Sequence, residues 1–186
     1  MNKIWAYKKD MEDKALVKAK VEGLEKAPEL MAPPYNGDLK KFATFKCAFY
    51  LCFTCDKPYF GGMKDCIRAQ EERQEFKPED LVCGTCAAEK LGVGSTKCKT
   101  HGTEFIEFKC KFCCSIAQWF CWGNTHFCEE CHKKQCAGDY VSRKKKEELP
   151  KCPGIGKCPL GVEHPPNGDE FPMGCSICRN AIVNKK

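Results

Sequence analysis

Apolar positions along this chain of 186 residues come in short clusters separated by long polar stretches. From Lys8 to Lys26 strong helix formers dominate, and Met11, Ala15, Leu16 and Ala19 make a modest apolar stripe among many charges. The pattern predicts a helix that ends before Pro28 and is marginal unless it docks on another element; a solvated helical lead-in is the plainer alternative. Ala32 to Asp38, with its paired prolines and Asn36-Gly37, reads as a connection. Phe42 to Phe53 is aromatic-rich and predicts a short strand. Beyond Tyr59-Phe60-Gly61-Gly62, the stretch Met63 to Asp80 has the polar composition of a mobile loop or a frayed helix. Phe105 to Phe108 alternates as a strand does, and Ile116 to Trp122 is an apolar run predicted to be buried on at least one side. The basic run Arg143 to Lys146 is read as a solvated connection in preference to a targeting signal, and the last third of the chain as irregular backbone.

Such clusters promise only a thin ordinary core, because much of the 42% hydrophobic fraction is cysteine. Eighteen cysteines are present, and five pairs have C-x-x-C spacing: Cys52/Cys55, Cys83/Cys86, Cys110/Cys113, Cys128/Cys131 and Cys175/Cys178. Cys98 and His101 have the same span. Two thiolates three residues apart on a tight turn reach one tetrahedral zinc without straining the backbone. Cys114, Cys152, Cys158 and His164 are the candidate partners that complete the set, giving ligands for about four zinc ions. The expected fold is small, loop-rich and zinc-stapled, of the α+β class, with short strands, an N-terminal helix and about four structural zinc sites that supply much of the folding free energy. Residues 1–34 are expected to form a linker helix with a proline-rich connection, and 35–186 the zinc-binding domain.

The charged segment from Met1 to Lys20 lacks the apolar run of a secretory signal. A reducing compartment, cytoplasmic or nuclear, is therefore expected, where repeated C-x-x-C pairs read as metal sites more readily than as disulfides. No stretch has the apolar length of a membrane span. The formal charge of +6 counts cysteine as neutral. Fourteen ligand thiolates and four dications bring it to about zero, so nucleic acid is not expected as a partner.

Cys47, Cys66, Cys121 and Cys136 remain outside the ligand count. Cys47 suits a small buried apolar residue. Cys136 is an idle thiol or an alternative ligand. Cys66 lies in a polar stretch between Lys64 and Arg68, which favour a thiolate, with Asp65 opposing them. Cys121 is surrounded by Trp119, Phe120 and Trp122, with His126 and His132 close in sequence. A cysteine with a histidine base and an orienting carboxylate is an activated nucleophile; the alternative makes both histidines zinc ligands or packed core residues.

The stretches Lys109 to Ser115, Trp119 to Cys128, Glu147 to Pro150, His164-Pro165-Pro166 and Gly174 to Ala181 fall in the order found in one family, as does Tyr59-Phe60-Gly61-Gly62 followed by Cys66. From about Asp13 to Ala181 the chain resembles the tandem-cysteine domain of the Pam/Highwire ubiquitin ligases, the RING-Cys-relay class. The resemblance implies that ubiquitin passes from a conjugating enzyme to Cys66, then to Cys121, and then to a substrate hydroxyl, preferentially threonine. It makes His132 the general base and Asp80 its orienting carboxylate, with Glu79 an alternative. The family has glutamate at the orienting position. Trp122 and Phe127 keep two of the three aromatic positions of the family's threonine pocket, and Gln135 stands at the third. The family's zinc ligands exclude both relay cysteines. A RING domain does not occur in these residues and is expected upstream in the same chain or in trans.

Overall fold

The computed structural model describes residues 3–21, 23–64, 77–90, 98–100, 106–175 and 178. Two compact units emerge, residues 1–82 with 121–124, and residues 83–120 with 125–186.

In the first unit, helix α1 (Lys3–Val21) places Ala15 and Ala19 on one side, four residues apart, and both are fully buried. Side chains this small let its backbone approach helix α2 (Leu39–Lys46), where Ala43 is fully buried too. Cys47 joins these alanines, and Leu24, Leu39, Phe49, Phe60 and Met63 pack around them. The helix therefore docks, and Cys47 is a core residue. It starts at Lys3 and stops at Val21, and the chain continues through short 3-10 turns at Leu24–Lys26 and Pro28–Met31.

One expectation is corrected here. Phe42 to Lys46 is helical, and strand β1 covers only Cys47–Leu51. The Asp38 side chain accepts a hydrogen bond from the Lys41 backbone N–H at 3.0 Å and starts the helix, which turns Phe42 and Ala43 inward together. Tyr35, in the preceding connection, meets the Phe42 ring edge-on at 4.9 Å.

Strand β2 (Pro58–Met63) pairs antiparallel with β1, with an irregularity between Ala48 and Phe49. The turn between them carries Cys52 and Cys55, closed by the Cys52 N–H donating to the Lys57 carbonyl and by Asp56 in a left-handed conformation. The β2 backbone also holds the Cys121–Asn124 turn, since the Gly123 N–H donates to the Gly61 carbonyl at 2.7 Å. A Cβ on Gly61 would collide with the Tyr50 ring and lie 3.2 Å from the Gly123 Cα. Gly61→Ala is therefore expected to cost about 1–3 kcal/mol, read as a lower midpoint in urea unfolding.

The second unit contains helix α3 (Gly84–Lys90), strands β3 (Ile106–Lys109), β5 (Thr125–Phe127) and β6 (Phe171–Cys175), helix α4 (Glu129–Lys134), and Trp119 and Phe120 of strand β4 (Trp119–Cys121), whose last residue is counted with the first unit. Strand β3 pairs antiparallel with β6, and β4 pairs with β5. Phe108, Phe112 and Phe127 are buried among the cysteines. The apolar run from Ile116 is mixed: Ile116 is exposed, Trp119 and Phe120 are half-buried, and Cys121 and Trp122 are buried. Residues 143–148 are exposed, as a solvated connection should be, and Lys146 pairs with Asp169 at 2.5 Å. Most of the 63–80 segment and Phe105 lie outside the described residues. No helix among the described residues is long and apolar enough to cross a membrane.

Candidate metal centres and catalytic residues

Local spacing explains the half-sites, but the fold decides which of them meet. Cys52, Cys55, Cys83 and Cys86 form one group; Cys110, Cys113, Cys128 and Cys131 a second; Cys114, Cys152, Cys158 and His164 a third. Cys98 joins Cys175 and Cys178 in a fourth. His101, the expected fourth member there, lies outside the described residues. In each group the ligand atoms all lie within 4.8 Å of one another.

These separations test the groups as metal sites. Cys113 and Cys128 sulfurs are 3.5 Å apart, Cys131 and Cys113 3.7 Å, and Cys98 and Cys178 3.5 Å. A disulfide needs about 2.0 Å. Ligands at the usual zinc–sulfur distance of about 2.3 Å put sulfurs roughly 3.8 Å apart along a tetrahedron edge, which the observed values approach. Cys158 Sγ and His164 Nε2, at 3.3 Å, are close to the corresponding sulfur–nitrogen edge of about 3.6 Å.

The electrostatics point the same way. Hydrogen bonds from the Cys113 and Cys131 thiols pull Cys110 down to about 4. The Cys110 and Cys113 sulfurs push Cys131 strongly up in return. Burial and the neighbouring Cys152 raise Cys114 to about 11, and Cys98 with burial raises Cys178 to about 11. Sulfurs this close cannot all ionise together unless a cation compensates them, and a soft dication suits thiolate and imidazole donors. Lys109, the residue before Cys110, is buried and donates from its ammonium to the Cys110 carbonyl at 2.8 Å. Burial pulls its ammonium below the ordinary range, while the thiols of Cys110, Cys114 and Cys113 and the Glu170 carboxylate hold it up.

Cys121 belongs to none of the four groups and is 1% exposed at the end of β4. Its turn is held through Gly123, whose N–H reaches Gly61 and whose carbonyl accepts from the Tyr59 hydroxyl at 2.5 Å. Trp122 is buried in a left-handed conformation at φ 59°. Such a backbone costs energy in a bulky residue, so the surrounding contacts must over-determine it.

His132 sits on α4, which the Cys128 side chain caps by accepting from the Cys131 N–H. Its ring lies flat on Trp119 at 4.3 Å and meets Phe127 edge-on at 6.0 Å. Trp119 is anchored in turn by donating its indole N–H to Glu129 at 2.5 Å. Cys136 is exposed, with its sulfur 3.8 Å from His132 Nε2. Gln135 accepts a hydrogen bond from the Ser142 backbone at 3.0 Å, so its amide serves the local turn. Phe127 is fully buried. Asp80 and Glu79 lie exposed in the Pro78–Asp80 turn. Cys66 lies outside the described residues.

One constellation escaped the sequence reading. His126 is stacked between Phe108 at 3.9 Å and Phe120 at 4.2 Å. Its Nδ1 is 2.7 Å from one Glu170 oxygen, and its backbone N–H donates to the other at 3.1 Å. The ring is thus both packed and paired with a carboxylate, and among the described residues His126 belongs to none of the four cysteine groups. Glu170 is forty-four residues away and carries no local signal.

Four candidate metal centres, with the buried Cys121 in none of them, define the class: a loop-rich, cysteine-rich α+β protein whose thiols gather in groups that could hold metal. No family model matches the chain. Two curated relatives are 40% identical to it over 184 aligned residues. They are the E3 ubiquitin-protein ligase MYCBP2 of Danio rerio, with 92% of this chain and 4% of the relative covered, and the E3 ubiquitin-protein ligase highwire of Drosophila melanogaster, with 94% and 3% covered. Over nearly its whole length the chain is similar to these Pam/Highwire ubiquitin ligases, and it spans only a few per cent of their length.

Proposed function

We propose that this chain is the transferring part of a RING-Cys-relay ubiquitin ligase, working in the cytoplasm or nucleus with zinc in all four groups. The reading is carried by the similarity to ubiquitin ligases along nearly the whole chain, together with a cysteine, Cys121, left out of every metal group. Residues 1–34 serve as linker helix and connection, and 35–186 as the catalytic domain.

In this mechanism the Cys66 thiolate attacks the thioester carbonyl of ubiquitin on a conjugating enzyme recruited by a RING domain, in the same chain or in trans. The enzyme's thiol leaves with a proton. Cys121 then attacks the new thioester and releases Cys66. The two thioesters are close in energy, so the final step sets the direction. A substrate hydroxyl attacks the Cys121 thioester while His132 accepts its proton, the ester forms, and the Cys121 thiol is released. Asp80, or Glu79 beside it, orients the imidazole. Trp122 and Phe127 shape the acceptor pocket, and Gln135 replaces an aromatic wall there, which widens the choice between threonine and serine.

The 1% exposure of Cys121 is the observation that favours the rival reading, a non-catalytic zinc module for protein interaction. For the transfer to occur, its turn must open when the loaded partner binds. The chain would be incubated with activating enzyme, conjugating enzyme, RING and ubiquitin, and the products compared with and without thiol reductant. A reductant-sensitive adduct at Cys66 and at Cys121 is expected. Absence of both, with the conjugating enzyme fully loaded, would refute the transfer reading and leave the interaction module.

A further inference from the structure

Ile116 and Val162 lie far apart in the sequence, yet both remain 38% exposed on the walls of one groove of about 800 Å³ in the second unit. The first wall is extended chain, held where the Ala117 N–H donates to the Phe108 carbonyl and the Gln118 N–H to the Phe127 carbonyl, each at 2.8 Å. Alternation along it turns Ile116 and Gln118 to the same side, and both line the groove. The second wall is the turn after Cys158, closed by the Gly161 N–H donating to the Cys158 carbonyl at 3.0 Å, with Gly161 left-handed at φ 62°. It presents Pro159, Leu160 and Val162. The start of α4 supplies the third wall through Glu129 and Glu130. Trp122, Phe127 and Gln135 do not line this space, so it is separate from the acceptor pocket read around them.

Ile116, Leu160 and Val162 favour an apolar side chain. The charged groups among the described lining residues are both carboxylates, although the chain as a whole carries more lysine and arginine than aspartate and glutamate. Glu129 is already engaged, accepting from the Trp119 indole and pairing with Lys133 at 3.1 Å. Glu130 is exposed and makes no ion pair among the described residues, so its charge is the one left to meet a ligand. A phosphate-bearing partner is repelled there, whereas a peptide that sets a lysine or arginine beside an apolar side chain is matched. The groove also adjoins the proposed chemistry. Glu129 anchors the Trp119 indole, and the His132 ring lies flat on that indole at 4.3 Å. A peptide lying in the groove therefore runs beside the general base.

We propose that this groove binds the acceptor segment of the substrate protein, taking an apolar side chain between Ile116, Leu160 and Val162 and a lysine or arginine against Glu130. The proposal rests on the transfer reading and adds a substrate class to it: hydroxyls flanked by a basic and an apolar residue.

Two capped fluorescent peptides, each with one threonine, would be offered to the full chain supplied with activating enzyme, conjugating enzyme, RING and ubiquitin. Arg-Leu precedes the threonine in the first and Glu-Ser in the second, and free threonine serves as an acceptor too small to reach the groove. The basic-apolar peptide should show a KM about tenfold lower than the acidic one at similar kcat, the mark of uniform binding, and added salt should narrow the difference. Glu130→Lys and Val162→Asp should each erase most of this preference and leave the rate with free threonine unchanged. Where Val162→Asp fails to fold, Val162→Ser takes its place. Equal KM for the two peptides on the wild-type chain would overturn the proposal, as would a preference that survives both substitutions. A variant of wild-type circular dichroism that loses its thioesters would put ubiquitin or the conjugating enzyme in the groove, and overturn it too. A wild-type chain that esterifies nothing, free threonine included, would refute the transfer reading instead. Fluorescence anisotropy of the two peptides on that chain then decides the groove separately, since tight binding of the first alone supports it and equal binding overturns it.

Discussion

Stripped of metal by a strong chelator, this chain is expected to lose its tertiary structure. Folding free energy in small metal-stapled domains is largely metal-binding free energy, about 10–16 kcal/mol for one structural zinc site near neutral pH. The whole stability of an ordinary domain is about 5–15 kcal/mol, so emptying even one site can unfold what it holds. The ordinary cores are too small to compensate. In the first unit the central cluster consists of three alanines and Cys47, and in the second the buried phenylalanines lie among ligand cysteines. Near-UV circular dichroism should collapse on chelation and return when zinc is restored, with native mass spectrometry showing the loss of about four ions. Acidification should act in the same direction, since protons compete with metal for the thiolates. A metal-free chain that kept its near-UV signal and its urea midpoint would show that the groups are not structural.

Replacing Cys121 should abolish transfer to the acceptor, by on the order of a thousandfold or more, because removing a covalent nucleophile leaves no route around it. Cys121→Ser should leave loading by the conjugating enzyme intact, so that ubiquitin accumulates on Cys66 or is trapped on the serine as a reductant-resistant ester. Cys66→Ser should stop loading itself. His132→Ala should leave both thioesters forming and slow only the hydroxyl step, by about 10²–10⁴, the usual worth of a general base. Its ring also packs on Trp119, so His132→Asn or →Gln, compared by circular dichroism, separates lost packing from lost proton transfer. A Cys66 variant with full activity would reverse or remove the relay order. Trials with threonine, serine and lysine as acceptors, and hydroxylamine to distinguish ester from amide, would then show what Gln135 does to selectivity.

Helix α2 marks the limit of local reading. Phe42-Ala43-Thr44-Phe45 has the aromatic content of a strand, and its helical state follows from the Asp38 cap and from the space left by Ala15 and Ala19 on α1. The docking of α1 was open for the same reason. Its stripe is made of alanines, which drive little burial by themselves and become informative only against a facing surface. His126 and Glu170 were unreadable as a pair, because nothing in either neighbourhood specifies the other.

The cysteines divide along the same line. Spacing alone determined the half-sites, since three residues on a turn is a distance that the backbone enforces locally. It also determined the loop-rich, thiol-stapled class and left Cys121 outside the ligand count. Only the tertiary structure decided which half-sites meet: Cys98 with Cys175 and Cys178 far along the chain, and adjacent Cys113 and Cys114 in different groups. It also buried Lys109, whose charge predicts a surface position. Pairing between distant segments is settled by packing and by charge compensation across the folded unit, and neither is encoded within a few residues of the ligands themselves.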